Sequence, residues 1–192
     1  MREEELRFIP FRSCSDKGWA EAWAIYRTSF PQNEQWHEED YARAFSDPHF
    51  EADGIWLGER LAGLLFHWHS DTFRYVEHLA LSPRMRGQNL GSRALRAFCQ
   101  AGGRVILEID PPEDEISIRR LHFYERLGFA ENPYLYIHPS FHEPYLAHRL
   151  VLMSYPDAIT YDEARRFADF VREVVLRYSG HEKPTLPRLP KP

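Results

Sequence analysis

Residues 76–100 read VEHLALSPRMRGQNLGSRALRAFCQ, and no other stretch limits the fold as tightly. The run opens on Val76, Leu79, Ala80 and Leu81, with the length and composition of a buried strand, and Ser82-Pro83 stops it. Residues 84–89 are polar, and Arg84, Arg86 and, one turn on, Arg93 make the region cationic. From Leu90 the apolar period becomes helical, with Leu90, Ala94, Leu95 and Phe98 on one side and Arg93 and Arg96 on the other. A strand, a glycine-bearing loop and a helix N-terminus in that order form an anion site. The first helical amides lack intrahelical partners, and the helix dipole favours negative charge there. Two common phosphate loops are excluded. A P-loop needs Gly, four residues, then Gly-Lys-Ser/Thr. Here Gly87 and Gly91 stand one residue too close, and Ser92 follows without a Lys. A dinucleotide loop needs G-x-G-x-x-G, which Gly87, Asn89 and Gly91 do not supply.

The loop resembles the pyrophosphate loop of the GNAT superfamily of acyl-CoA-dependent N-acyltransferases, written Arg/Gln-x-x-Gly-x-Gly/Ala. Arg86, Gly87, Gln88, Asn89, Leu90 and Gly91 match it, except that Asn89 replaces the middle glycine. Asn is the residue next most tolerant of a left-handed backbone, so the departure is mild. Residues 121–129, LHFYERLGF, look like the family's second signature, a helix carrying Tyr and closing in Gly-Phe. Together these matches cover residues 6–155. The resemblance implies an α/β (α+β) GNAT fold, a mixed central sheet splayed between two parallel strands with helices on both faces, here with an extra C-terminal helix. It implies acetyl-CoA as co-substrate, with the backbone of Leu79, Ala80 and Leu81 pairing with the pantetheine. Amides of Arg86, Gly87, Gln88, Asn89, Leu90, Gly91 and Ser92 would hold the pyrophosphate. Tyr124 would donate a proton to, or orient, the coenzyme A sulfur.

At 192 residues, 43% apolar and 15% aromatic, the chain suffices for one substantial core. A net charge of −5 argues against a nucleic-acid partner and suits a cationic substrate. Cys14 and Cys99 provide neither a disulfide framework nor a metal spacing, and Cys99 reads as a small core residue. No apolar run approaches the ~20 residues needed to span a bilayer. The first residues, MREEELRFIPF, lack the apolar stretch of a signal peptide, so a cytoplasmic location and no membrane partner are expected.

Taken in order, residues 6–11 read as a first strand. Ser15 or Asp16 can cap a helix on which Trp19, Trp23, Tyr26 and Phe30 recur at helical spacing, a stripe expected to pack in the core. Pro31 ends it. A loop, PQNEQW, precedes a short helix at 38–45. In GNAT folds this connection lines the acceptor pocket, which makes Glu34 and Trp36 candidate substrate contacts; the bland alternative is a solvated loop with Trp36 packed down. Strands at 50–57 and 61–69 are joined by Gly58-Glu59-Arg60. His67 and His69 share one face of the second strand. Two imidazoles offer two metal ligands, but no third lies close in sequence. No metal is therefore expected, and both are read as substrate-pocket or exposed residues. Gly102-Gly103 closes the motif helix, residues 105–109 form a strand, Asp114 caps a helix running to 127, and strands at 134–138 and 147–154 follow.

Thr160-Tyr161-Asp162-Glu163 is a capping box opening an amphipathic helix that carries Ala164, Phe167, Ala168, Val171, Val174, Val175 and Tyr178. That stripe must pack on the chain's own sheet or on a second subunit, which leaves a homodimer open. The expected organisation is an acetyltransferase domain at 1–156, this helix at 157–180, and a flexible proline-bearing tail at 181–192. Acyl transfer to an amine needs a proton removed from nitrogen and one delivered to sulfur. Glu77, two residues before Leu79, is expected on that residue's face as the base, with His67 or His69 as alternatives. The function expected is transfer of an acetyl group from acetyl-CoA to a primary amine of a small molecule. Two alternatives stay open: acetylation of a protein N-terminus or lysine, and a non-catalytic acyl-CoA-binding sensor or assembly module.

Overall fold

The computed structural model describes residues 5–85, 87, 89–141, 146–180 and 186–190. Strand β1 (Leu6–Phe11) leads through α1 (Trp19–Ser29) and α2 (Glu38–Ala44) into β2 (Phe50–Leu57), β3 (Arg60–His69) and β4 (Phe73–Leu81), each antiparallel to the one before. Helix α3 (Leu90–Gln100) crosses to β5 (Arg104–Ile109), which lies parallel to β4. Then come α4 (Glu115–Glu125), β6 (Ala130–Glu131), β7 (Tyr136–Pro139), β8 (Ala147–Tyr155) and α5 (Tyr161–Glu173). The strands run in the order β1-β2-β3-β4-β5-β8-β6, with β7 also paired to β8.

Helices cover both faces of this mixed sheet. On one face α1 and α2 build an aromatic core. Trp19 stacks on Phe66 at 5.8 Å and Tyr41 meets the same ring edge-on at 5.1 Å. Helix α5 lies on this face too, with Ala164, Phe167, Ala168 and Val171 buried. Phe167 sits 5.6 Å from Phe73 and 5.1 Å from Tyr75. The chain's own sheet thus covers the stripe that had to be covered. On the other face α3 buries Leu90, Ala94, Leu95 and Phe98 against Leu65, Val76, Val105 and Leu107. No described helix is long and apolar enough to cross a membrane.

Three details depart from the sequence reading. Helix α1 starts behind Gly18, at φ 92°, without a side-chain cap. The Asp16 carboxylate instead accepts from the amides of Arg12 (2.6 Å) and Ser13 (3.1 Å), closing the turn before the helix. Strand β6 is two residues long, too short for any period to show. Of the expected tail, residues 186–190 lie beside β7, where the backbones of Ile137 and Arg188 exchange two hydrogen bonds of 3.1 Å each; residues 181–185 and 191–192 fall outside the described residues.

What positions the site is a change of pairing in β4. Parallel pairing with β5 ends at Val76 opposite Leu107, although β4 continues to Leu81 and β5 to Ile109. At the same level the β3–β4 register steps from Phe66–His78 to His67–Val76, leaving Glu77 as an extra residue. Such a bulge bends its strand and increases local twist, and beyond it the two parallel strands separate.

The other side of β4 holds tightly to β3. A Cβ on Gly63 would stand 2.2 Å from the Ala80 carbonyl oxygen and 2.8 Å from Leu81 Cδ2. Gly63→Ala is expected to cost about 1–3 kcal/mol, read as a lower midpoint in urea or heat. A variant as stable as the parent would show that β3 and β4 can move apart here freely.

Candidate active site

Where β4 and β5 part, a cavity of about 450 Å³ opens between them. Tyr75 to Leu81 form one wall and Leu107 to Asp110 the other, with Glu34, Phe123, Tyr124, His138, Phe141 and His148 closing the ends. Among the described residues the β4 edge facing this space has no partner strand beyond Val76, so its amides and carbonyls are available to a ligand.

The bulge decides which side chains face the cavity. In an unbroken strand Glu77 would share a face with Leu79. Instead Glu77 and His78 both point to the side of α1 and α2, while Leu79 packs toward α3. The expectation of a common face for Glu77 and Leu79 is therefore corrected, although both line the cavity. The Glu77 side chain is 2% exposed. Its Oε2 accepts from Trp68 Nε1 at 2.9 Å, and Oε1 is buried without a partner. Burial drives its pKa up to about 8; the Trp68 hydrogen bond opposes the rise and the charge of Glu108 adds to it. Glu108, across the cleft, accepts from the Tyr75 hydroxyl at 2.6 Å.

His78 joins the sheet to the α1–α2 connection. Its Nε2 lies 3.3 Å from the Glu34 carbonyl, which can only accept, so Nε2 carries the proton. Nδ1 then lies 3.0 Å from the Tyr41 hydroxyl, which is also 3.3 Å from the Tyr26 hydroxyl. Burial lowers the His78 pKa to about 3, so the ring stays neutral. The Glu34 carboxyl, at the cavity end, is raised to about 7 by burial, with Asp110 raising it further and Arg120 lowering it. Arg120 pairs with Asp110 at 2.8 Å, both half-exposed at the rim. His138 directs Nδ1 to the Pro139 carbonyl at 2.6 Å, which leaves Nε2 a bare, buried acceptor. Tyr124, on α4, has its pKa raised by burial and so keeps its phenolic proton near neutral pH.

The loop expected to hold an anion leads into α3. Asn89 adopts φ 55°, ψ 17°, and Gly87 φ 79°. Asn89 therefore takes the left-handed conformation that motif position requires. Helix α3 has no side-chain cap and no acid in its first turn, whereas α4 and α5 are capped by Asp114 and Thr160. Leu79, Ala80, Leu81 and Gly91 line the cavity. Leu90 is 1% exposed, its side chain in the core and only its backbone available; Ser92 is half-buried in the first turn. Arg86 and Gln88 lie outside the described residues.

The structure does not bring Trp36, His67 or His69 to this cavity. Trp36 is 2% exposed and stacked on Tyr41 at 5.0 Å, so the packed-down alternative is the one observed. His67 and His69 lie on the opposite sheet face, His67 against Phe98 of α3 at 4.8 Å. A third potential metal ligand does exist beside them, Glu51, on the neighbouring strand rather than nearby in sequence. Sequence reasoning also missed His78, Glu108, His138 and His148. Their convergence depends on the bulge and on the order of β5, β7 and β8, and neither leaves a local signal.

Comparison with known proteins identifies the family and the fold. A family model described as the acetyltransferase (GNAT) family matches residues 19–129. A solved structure from Bacteroides thetaiotaomicron, assigned as a GNAT-family acetyltransferase, superposes with a TM-score of 0.83 at 25% identity, over 91% of this chain and 99% of its own. An acetyltransferase from Thermus thermophilus shares the fold at a TM-score of 0.57 and 18% identity, over 82% of this chain and 100% of its own. A Bacillus subtilis acetyltransferase solved in complex with CoA does so at 0.54 and 13%, over 78% of this chain and 97% of its own. Among curated proteins, none matches this sequence.

The Glu77 carboxyl supplies a test of the electrostatics. With a folded pKa of about 8 against an ordinary 4.5, it favours the folded state fully below the lower value. That contribution fades as pH rises through the interval between them. Glu77→Gln should therefore melt close to the parent at acidic pH and above it at alkaline pH. An offset in Tm that is the same at both extremes would show that Glu77 titrates normally.

Proposed function

We propose that this chain, a member of the GNAT family of acetyltransferases, transfers an acetyl group from acetyl-CoA to a primary amine of a small molecule. The observation that carries the reading is the gap between β4 and β5, which opens an unpaired strand edge onto an acid-lined cavity. Acetyl-CoA enters this gap with its pantetheine amides along 79–81 and its pyrophosphate on the amides of 87–92, where the start of α3 presents unsatisfied donors. The amine enters from the side of Glu34, Glu77 and Glu108. Against these carboxyls and Asp110 the described cavity lining holds one cationic side chain, Arg120, already paired. A small cation suits a space of this size and sign.

An alkyl ammonium has a pKa of about 10 and must lose a proton before nitrogen can attack. Glu77, once ionised, takes it directly or through a water; a bound cation nearby lowers the carboxyl pKa and so helps ionise it. The amine nitrogen then attacks the thioester carbonyl carbon, the carbon–sulfur bond breaks, the departing thiolate receives a proton from the Tyr124 hydroxyl, and the second proton lost by the adduct nitrogen restores that hydroxyl through water. His67 and His69 lie on the far side of the sheet and drop out as bases; the bare Nε2 of His138 is the alternative on the cavity wall.

Release of free thiol from acetyl-CoA in the presence of a panel of small amines and of peptides tests this reading. Turnover with small amines is expected. Turnover with peptides alone would assign the protein-modifying alternative, and tight acetyl-CoA binding without turnover would assign the sensor. Tyr124→Phe should lower kcat by about 100-fold or more with acetyl-CoA affinity unchanged; an unaltered kcat would remove Tyr124 from proton transfer. The kcat/KM of the parent should rise with pH through the Glu77 ionisation, and Glu77→Gln should lose that rise while keeping the one due to the amine. Gly91 lines the cavity, and a Cβ there meets Leu81 Cδ1 at 3.5 Å and Phe123 Cζ at 3.8 Å, ordinary contacts. Gly91→Val should therefore fold yet bind coenzyme A at least about tenfold more weakly by calorimetry, a loss of about 1.4 kcal/mol. Unchanged affinity would remove the loop from the site.

A further inference from the structure

We propose that Glu51, His67 and His69, with Asp53 beside them, form a binding site for a divalent transition-metal ion of the zinc class, separate from the acetyl-transfer cavity. Strands β2 and β3 set the geometry. Glu51 is the cross-strand partner of His67, and Asp53 and His69 each stand two residues along on the same face. One donor atom from each of Glu51, His67 and His69 lies within 4.8 Å of the others. His67 Nε2 is 3.0 Å from Asp53 Oδ2 and 3.9 Å from Glu51 Oε2, and His69 Nε2 is 3.3 Å from that same Glu51 oxygen. A tetrahedral ion with bonds of about 2.0–2.2 Å keeps its ligand atoms about 3.3–3.6 Å apart. Small side-chain rotations bring the cluster to that spacing.

His67 Nε2 donates to Asp53 Oδ2 at 3.0 Å, and the rest of the cluster is poorly satisfied. His67 Nδ1 is buried without a partner, and His69 Nε2 is buried with only the 3.3 Å contact to Glu51 Oε2, a condition native proteins rarely leave unexplained. With the His67 proton moved from Nε2 to Nδ1, the two Nε2 lone pairs flanked by two carboxylates are the donor set that a zinc-class ion takes. The neighbouring cations are turned elsewhere. Arg74, in register with His69, lies over the Phe98 ring at 4.2 Å and donates to the Phe98 carbonyl at 2.8 Å. Arg12 reaches the other Glu51 oxygen, Oε1, at 3.7 Å. The inner ligand, His67, has a side chain 2% exposed, whereas those of His69 (39%) and Glu51 (33%) open to solvent, which provides a path of entry.

None of these residues lines the acetyl-transfer cavity. The ion would therefore serve structure or sensing, fastening β2 to β3 beneath the C-terminal turn of α3. In the test, protein stripped with a chelator and dialysed is titrated with Zn²⁺ by calorimetry. Co²⁺ absorbance reports coordination, and melting is followed at each Zn²⁺ concentration. The expected result is a single ion per chain, a Tm that rises with free Zn²⁺, and an intense visible Co²⁺ band. His69→Asn and Glu51→Gln, both at the solvent edge, should each weaken binding at least about tenfold, while His148→Asn, in the cavity, leaves it unchanged. Absence of stoichiometric binding, or an affinity unaltered in both edge variants, would overturn the proposal. A loss confined to His148→Asn would also overturn it, by moving the ion to the cavity.

Discussion

One extra residue in β4 governs the functional half of this molecule. With Glu77 inserted opposite the Phe66–His67 step, β4 turns away from β5 after Val76. A parallel sheet that stayed paired to its ends would leave no exposed strand edge and no interior space. The bulge creates both, and it delivers two adjacent side chains, Glu77 and His78, to one face. Gly63, by admitting the Ala80 carbonyl within the space of a methyl group, keeps β3 fixed to the bent strand. The strain of opening thus falls on the β5 side alone.

Burial rather than pairing sets the electrostatics of that space. Glu77 and Glu34 rise to about 8 and about 7 chiefly because they leave water. His78 falls to about 3 for the same reason. At neutral pH Glu77 is therefore largely protonated, Glu34 is near its midpoint and His78 is neutral, and an arriving ammonium would draw the two carboxyls into ionisation. The same environment that makes Glu77 costly to ionise makes it a stronger base once ionised, closer in pKa to the amine it must serve.

Much of the fold was legible because its signals are local. The strand ending at Leu81 and the helix from Leu90 appear as read, and Asn89 before that helix is left-handed at φ 55°, a conformation Asn tolerates better than most residues. The aromatic stripe of α1, the Asp114 cap of α4 and the capping box of α5 were equally local. The errors at the site share one cause, since each concerns how an element packs against its neighbours. Alternation counted along β4 places Glu77 with Leu79, and only the register with β3 reveals the bulge. Alternation along β3 correctly joins His67 to His69 but says nothing of which helix layer they meet. Glu51 lies opposite His67 in space and sixteen positions away in sequence. Trp36 was ambiguous because its burial depends on Tyr41, on the next helix.

The central claim is that the separated strand edge and the loop before α3 receive acetyl-CoA as one continuous surface. Hydrogen–deuterium exchange with and without coenzyme A reads this at the backbone itself. The account predicts slowed exchange for the amides of 77–81 and 89–92 together, with the paired region of β1 and β2 unaffected. Protection confined to other elements, or no protection at saturating coenzyme A, would contradict it.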